Sequence, residues 1–170
     1  MIKLKCHKLK LTIEIVPSTS WYHNLRNRMS KKDWDKIRKS TYAQYRDRCG
    51  ICRSQGRLNC HEIWEYDDKK HVQKLAGFIA LCNMCNFVKH IGLSGILALE
   101  GKLDYGEIVK HFMNVNKCDT QTFEKHKERA FDEWRRRSQH EWHVDLEEYK
   151  DVIKRDSNKR NRKDQKWQRE

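Results

Sequence analysis

With one proline and seven glycines in 170 residues, the chain has nothing that reads as a proline- or glycine-rich linker. Long apolar runs are missing too. No stretch approaches the roughly 20 consecutive apolar residues that a membrane-spanning helix needs. Residues 1–16 alternate lysine with leucine and isoleucine and never form the uninterrupted apolar segment of a secretory leader. Acidic residues are the scarcer charge, 24 against 37 lysines and arginines, which leaves a formal charge of +13. That excess favours a polyanionic partner, nucleic acid before any other. An anionic membrane surface is the weaker reading, because no segment joins a long apolar face to a basic one. Apolar residues make up 37% and charged residues 36% of the chain, so the core is expected to be modest.

Seven cysteines stand out against this polar background. Four form two knuckles, Cys49-Gly-Ile-Cys52 and Cys82-Asn-Met-Cys85, separated by 29 residues. A C-x2-C pair puts two sulfurs on one side of an ion, and two pairs complete the tetrahedron of a closed zinc site. In a chain with a small core, the binding free energy of such a metal becomes folding free energy. A thioredoxin-like redox role is not expected, since neither knuckle sits in a β-α-β context. Metal-bound thiolates fit a reducing cytoplasm better than a disulfide framework does. Cys6 and Cys118 read as small buried hydrophobes. Cys60 stands in a Cys60-His61-Glu62 cluster between the knuckles, and Asn86 and His90 follow them.

Leu9, Leu11, Ile13 and Ile15 alternate with other residues at the period of a half-buried strand, which Pro17 ends. Ser30 and Asp33 mark the start of an amphipathic helix over residues 31–47, with Trp34, Ile37, Thr41 and Tyr45 at helical spacing. Residues 58–66 are rich in strand formers, 67–70 form a polar turn, and the apolar residues 72–81 return the chain to Cys82, which predicts a hairpin. A short helix starting near Cys85 carries Asn86, Lys89 and His90. Asp104 with Glu107 opens another helix to about Asn116, and Asp119 caps a longer one. Leu146, Tyr149, Val152 and Ile153 suggest a last helix. From Lys154 onward eight basic residues face three acidic ones, which reads as a disordered basic tail over 154–170. Residues 1–153 then make one domain.

The order of these pieces resembles a known family. A C-x2-C knuckle, a strand with histidine, and Leu81-Cys82-Asn83-Met84-Cys85-Asn86-Phe87-Val88-Lys89-His90 look like the zinc-knuckled His-Asn-His (HNH) endonucleases. The stretch from Cys60 to Asp68 resembles an uncharacterised bacterial and phage-type branch, and the likeness extends from about Val16 to Asp145. The specific part is 49–92. The resemblance implies an α+β fold with a ββα-metal core, here with an N-terminal strand and added helices, in the cytoplasm of a bacterial or phage-infected cell. It implies hydrolysis of phosphodiester bonds in DNA, RNA remaining open, with a single divalent cation (Mg2+, Mn2+, Ni2+ or Zn2+) beside the scissile phosphate. His61 matches the general base, a role that suits an imidazole. Asn86 matches the final metal ligand. His90, four residues on, falls on the same helical face as a further ligand, similar to the His-x3-His helix of the colicin-type members.

Three departures accompany the match. Cys60, a soft thiol, stands where the family has a harder ligand, so it is either a zinc-selecting ligand or none. In a regular strand Cys60 and Glu62 share one face and His61 has the other. Gly77 stands five residues before Cys82, where the family's middle Asn orients the base, so a backbone carbonyl or another side chain must do that work. Asp67 and Asp68 are spare oxygen ligands if their loop folds back.

Each residue also has a plainer reading: His61 as a packed side chain, Asn86 as a helix cap, His90 as a surface residue, Lys89 as a solvated lysine instead of a phosphate contact. Arg135-Arg136-Arg137, the cluster Arg26, Arg28, Lys31 and Lys32, and the tail are candidate phosphate contacts or simply solvated faces. Trp34 and Trp134 sit at core spacing, while Trp21, Trp64 and Trp142 could stack on bases. Two other classes of function share the sequence: a zinc-stabilised nucleic-acid-binding module with a decayed site, and a basic protein that binds an acidic partner.

Overall fold

The computed structural model describes residues 8–23, 25–27, 29–146 and 149, and is a mixed α+β structure with a small three-stranded sheet. The expected basic tail, Val152, Ile153, Arg28, Cys6 and the side chain of Trp21 lie outside the described residues. Among these residues no helix is long and apolar enough to cross a membrane.

Helix α1 (Lys31–Gln44) begins where the Ser30 hydroxyl accepts the Asp33 N–H, and it ends three residues earlier than its periodicity suggests. Arg46 and Asp47 both take positive φ and turn the chain into the first knuckle. Strands β1 (Leu58–Asp67) and β2 (Val72–Cys82) form the expected antiparallel hairpin. Its turn is held by Asp67, whose carboxylate accepts the Lys69 and Lys70 N–H groups at 3.0 Å each. The register breaks once: Ile63 faces Gly77 but Trp64 faces Leu75, leaving Ala76 as an extra residue in β2. Gly77 has φ +147°, a conformation open to glycine and costly for other residues. The bulge brings both Leu75 and Phe78 onto the α1 side, where they pack with Leu25, Met29 and Leu146.

The opposite face of the hairpin builds the larger core. Leu81, Cys85, Val88, Ile108, Phe112 and Phe123 are buried there. Its helices follow directly: α2 (Asn83–Lys89), α3 (Ile91–Leu99), α4 (Tyr105–Asn116) and α5 (Thr120–Arg137). The Asp104 and Asp119 caps form as their sequence signals predict. The short strand β3 (His143–Asp145), which no sequence signal announced, pairs in parallel with the start of β2.

The expected N-terminal strand does not form. Residues 8–17 run extended, with Leu11 and Ile13 buried as their alternation requires, but their backbone groups bond to side chains and a helix end instead of to a strand. The Asn116 side chain accepts from Lys10 and Leu11 N–H and donates to the Leu11 carbonyl. Ile13 N–H donates to His126 Nε2 at 2.9 Å, and Glu14 N–H to the Lys89 carbonyl at 3.1 Å. Alternation reports which side is buried; it does not report what the backbone pairs with.

The first knuckle is tight. A methyl group at Gly50 would lie 2.7 Å from both Ile79 Cγ1 and Tyr45 Cε1. Gly50→Ala is expected to destabilise the protein by about 1–3 kcal/mol, the usual cost of overpacking. An unchanged urea midpoint in metal-replete buffer would contradict this.

Candidate metal centre and candidate active site

Cys49 and Cys52 come from the turn after α1, Cys82 ends β2, and Cys85 lies in the first turn of α2. The fold brings their sulfurs to one point, all within 4.8 Å of one another, with Cys49 and Cys85 fully buried. Cys52 and Cys82 sulfurs are 3.6 Å apart. Cys82 also caps α2, its sulfur accepting the Cys85 N–H at 3.4 Å. The four thiols interact strongly through their hydrogen bonds. Hydrogen bonds from Cys82 and Cys85 push the Cys49 thiol far down, whereas its bonds with Cys49 and Cys82 push Cys85 far up. Burial raises Cys52 as well. Four thiolates at one point need a cation to coexist, and this group could hold a metal ion. His111 of α4, which sequence reasoning missed, places Nε2 3.2 Å from the Cys85 sulfur.

A cleft of about 520 Å³ opens on the other side of α2, lined by residues that include Glu14, Cys60, His61, Asn86 and His90. His61 is only 8% exposed. Its ring lies 5.0 Å, centroid to centroid, from that of His90, at an edge-to-face angle. His61 Nε2 stands 3.4 Å from Glu14 Oε2, while the other Glu14 oxygen binds the Lys89 ammonium. Lys89 also donates to Thr12 Oγ1 at 3.0 Å. Burial alone would raise the Glu14 carboxyl, but hydrogen bonding to His61 and the ammonium of Lys89 bring it down to about 2. Burial, followed by the neighbouring His61, lowers His90 to about 4, so its imidazole is neutral and can offer a lone pair.

The sequence-derived candidates separate here. His61, Asn86 and His90 line one cleft. Asn86 is not the helix cap, since Cys82 has that position. His90 lies just beyond α2, at the junction with α3, so the shared helical face expected for Asn86 and His90 is a shared corner. Cys60 borders the cleft, but strand alternation turns its sulfur to Thr41 Oγ1 of α1, 3.7 Å away, and burial keeps it a thiol. Its expected part in holding a cation with Asn86 and His90 has no support in this geometry. Lys89 is buried against Glu14, which removes it from the phosphate contacts expected of it. Glu62 shares the α1 face with Cys60 and accepts from Leu25 N–H and Trp64 Nε1.

The three arginines that end α5 are tied to acids. Arg137 makes two bonds to Asp68, at 2.8 and 3.0 Å, and another ion pair with Glu133, while its guanidinium covers the Tyr66 ring. Arg135 pairs with Asp132, and Arg136 lies within 4 Å of Asp68 and Glu133. Asp67 is thus spent on the turn and Asp68 on Arg137, which itself lines the cleft with Glu133 and Tyr66. Trp142 is buried against Tyr66 and donates to the Arg137 carbonyl.

Among the described residues the four cysteines are the only group of three or more His, Cys, Asp or Glu side chains placed to share an ion. The cleft has the His90 imidazole and the Asn86 side chain among its lining residues. In comparisons with protein-family models, curated proteins and solved structures, nothing matches the chain.

Proposed function

We propose that this protein is a metal-dependent endonuclease of the HNH type that hydrolyses phosphodiester bonds in DNA, with structural zinc on Cys49, Cys52, Cys82 and Cys85. The observation that carries the reading is His61: a buried imidazole bonded to a carboxylate, in a cleft shared with Asn86 and His90, near the end of the hairpin that enters the cysteine cluster. The β1-β2-α2 order agrees with the ββα core that the sequence resemblance implies. In this reading His61 takes the proton of the attacking water. A divalent cation held by Asn86 and His90 would supply charge neutralisation at the phosphate and at the leaving oxygen.

A second, larger groove supports a polyanionic substrate. Its volume is about 1040 Å³, and it shares Arg26, Trp34, Asn59 and Cys60 with the cleft. Arg26, Lys31, Arg38 and Arg57 line it against the single acid Asp35. Arg38 is paired with Asp35, as Arg135, Arg136 and Arg137 are with their acids, but four basic residues facing one acid make this groove the better path for a phosphate backbone. Lys31→Glu combined with Arg57→Glu is expected to weaken nucleic-acid binding about tenfold or more and to lower the salt slope by about 2. Arg135→Glu with Arg136→Glu should do less. The opposite ranking in a fluorescence-anisotropy salt titration would place the backbone on α5.

The test of the function is cleavage of plasmid DNA, with an RNA of similar length alongside, by zinc-replete protein given Mg2+, Mn2+, Ni2+ or Zn2+. Nicking or linearisation is the expected result. Salt-dependent binding without cleavage under any metal would favour the binding module, a reading that the inward Cys60 and the two-residue cation site keep in view.

A further inference from the structure

We infer that Glu14 is the residue that positions the base: it fixes the His61 imidazole with its proton on Nε2 and leaves Nδ1 as the atom that accepts the proton from water. This inference rests on the nuclease reading and adds to it a residue outside the 49–92 core. The need for such a group follows from β2. Gly77 stands where an orienting Asn would, and the bulge at Ala76 requires φ +147° there, which disfavours any side-chain-bearing residue. The orienting group must come from elsewhere in the fold, and only Glu14 has a carboxylate oxygen at His61 Nε2 (3.4 Å) among the described contacts.

Glu14 is held for this purpose at both its backbone and its side chain. Its N–H donates to the Lys89 carbonyl at the end of α2. The residue before it is anchored to His126, and Leu11 to Asn116. Its second oxygen is occupied by the Lys89 ammonium, which is itself buried and also bonded to Thr12. The carboxylate is thus an acceptor toward His61, so the facing nitrogen carries the proton. The hydrogen bond from His61 and the Lys89 ammonium hold the half-exposed carboxylate ionised, so that Glu14 does not take the catalytic proton itself.

Glu14 is a less suitable cation ligand than it first looks. Both oxygens already have partners, and one of them is a cation. In the proposed step the water O–H bond breaks and its proton goes to Nδ1. The resulting hydroxide attacks phosphorus, and the bond from phosphorus to the 3′ oxygen breaks, that oxygen taking a proton from solvent. The imidazolium left behind keeps its Nε2–H on Glu14, which steadies the charge it has gained.

The experiment compares wild type with Glu14→Gln and Glu14→Ala in zinc-replete protein. It reads the His61 tautomer by nitrogen-15 NMR, and kcat, KM and the half-saturating Mn2+ concentration by DNA cleavage. Expected are an Nε2–H tautomer in wild type and in Glu14→Gln, whose amide oxygen still accepts, and a mixed tautomer in Glu14→Ala. The kcat of Glu14→Ala should fall about 100-fold, that of Glu14→Gln less, with KM and the Mn2+ requirement little changed. Should Glu14→Ala fail to fold because Lys89 is left unpaired, Glu14→Ala with Lys89→Met carries the same comparison.

An unchanged tautomer in a folded Glu14→Ala protein, or undiminished kcat, would overturn the inference. A rise in the Mn2+ requirement without a tautomer change would make Glu14 a cation ligand instead. A tautomer that responds to Glu14 in a protein that cleaves nothing would overturn the nuclease reading and the catalytic role with it, while leaving the hydrogen bond as a structural one.

Discussion

Removing the metal from the four cysteines is expected to unfold the hairpin–helix unit. The four sulfurs lie within 4.8 Å of one another and join two separate pieces of chain: the turn after α1 and the junction where β2 runs into α2. Without an ion, four thiolates this close would repel one another. The remaining ties of the first knuckle are few, chiefly Cys49 N–H to the Ser54 carbonyl and Gly50 N–H to the Ala80 carbonyl. Structural zinc contributes roughly 10–16 kcal/mol in small zinc domains, comparable to the roughly 5–15 kcal/mol by which whole domains are stable.

A loss of even about 5 kcal/mol would lower the melting temperature of a domain of this size by about 10–20 °C. Chelation, or Cys85→Ser, should therefore lower the thermal midpoint at least that far and broaden the transition followed by circular dichroism. Cys85 should be the more damaging position, being buried and in contact with His111. Cys118→Ser is the control, because Cys118 lies outside the group and only half buried. Metal-replete protein that gives up its metal to a chelator and still melts at the same temperature would refute the structural role.

Local chemistry made much of this fold legible. Ser30, Asp104 and Asp119 each cap the helix that their side-chain chemistry and spacing predicted, because a cap is decided within four residues. The hairpin was readable from β-forming runs on either side of a polar turn, and the cysteine group from two C-x2-C pairs. What escaped depends on distant partners. Residues 8–17 alternate like a strand, yet Asn116, His126 and Lys89 satisfy their backbone groups from more than 70 residues away. β3 has three residues and exists only because β2 offers it an edge.

In the candidate site, alternation gave the right answer for Cys60 and His61: their side chains do take opposite faces, and the bulge falls too late in the strand to bring them together. Glu14 had no signal. Nothing within its neighbours marks a glutamate in an extended segment as the partner of a histidine 47 residues later. Gly77 was the one hint, since an absent orienting side chain implies a substitute whose location only the tertiary structure supplies.

His61→Ala is expected to abolish DNA cleavage while leaving binding and metal content in place. General-base catalysis typically accounts for about 10²–10⁴ in rate, so cleavage should fall to background in a plasmid assay of ordinary length. The separation of roles follows from position. His61 is three residues inside β1, and its ring faces Glu14 and His90, not the four sulfurs. Its loss leaves the four cysteines untouched and leaves the Glu14–Lys89 ion pair to hold the cleft wall.

The substitution does open a small cavity at an 8%-exposed position, so His61→Gln, which keeps more of the volume and cannot serve as a base, is the paired variant. Both should elute and melt close to wild type, retain zinc, and shift DNA in a gel at the same concentration, while neither nicks it. Cleavage by a folded His61→Gln protein would place the base elsewhere, with His90 the next imidazole to test. Loss of zinc along with activity would mean that His61 serves the metal domain and not the chemistry. If wild type and variants alike bind without cutting, the cleft is an unused relic in a binding protein, and the basic groove beside α1 becomes the functional surface.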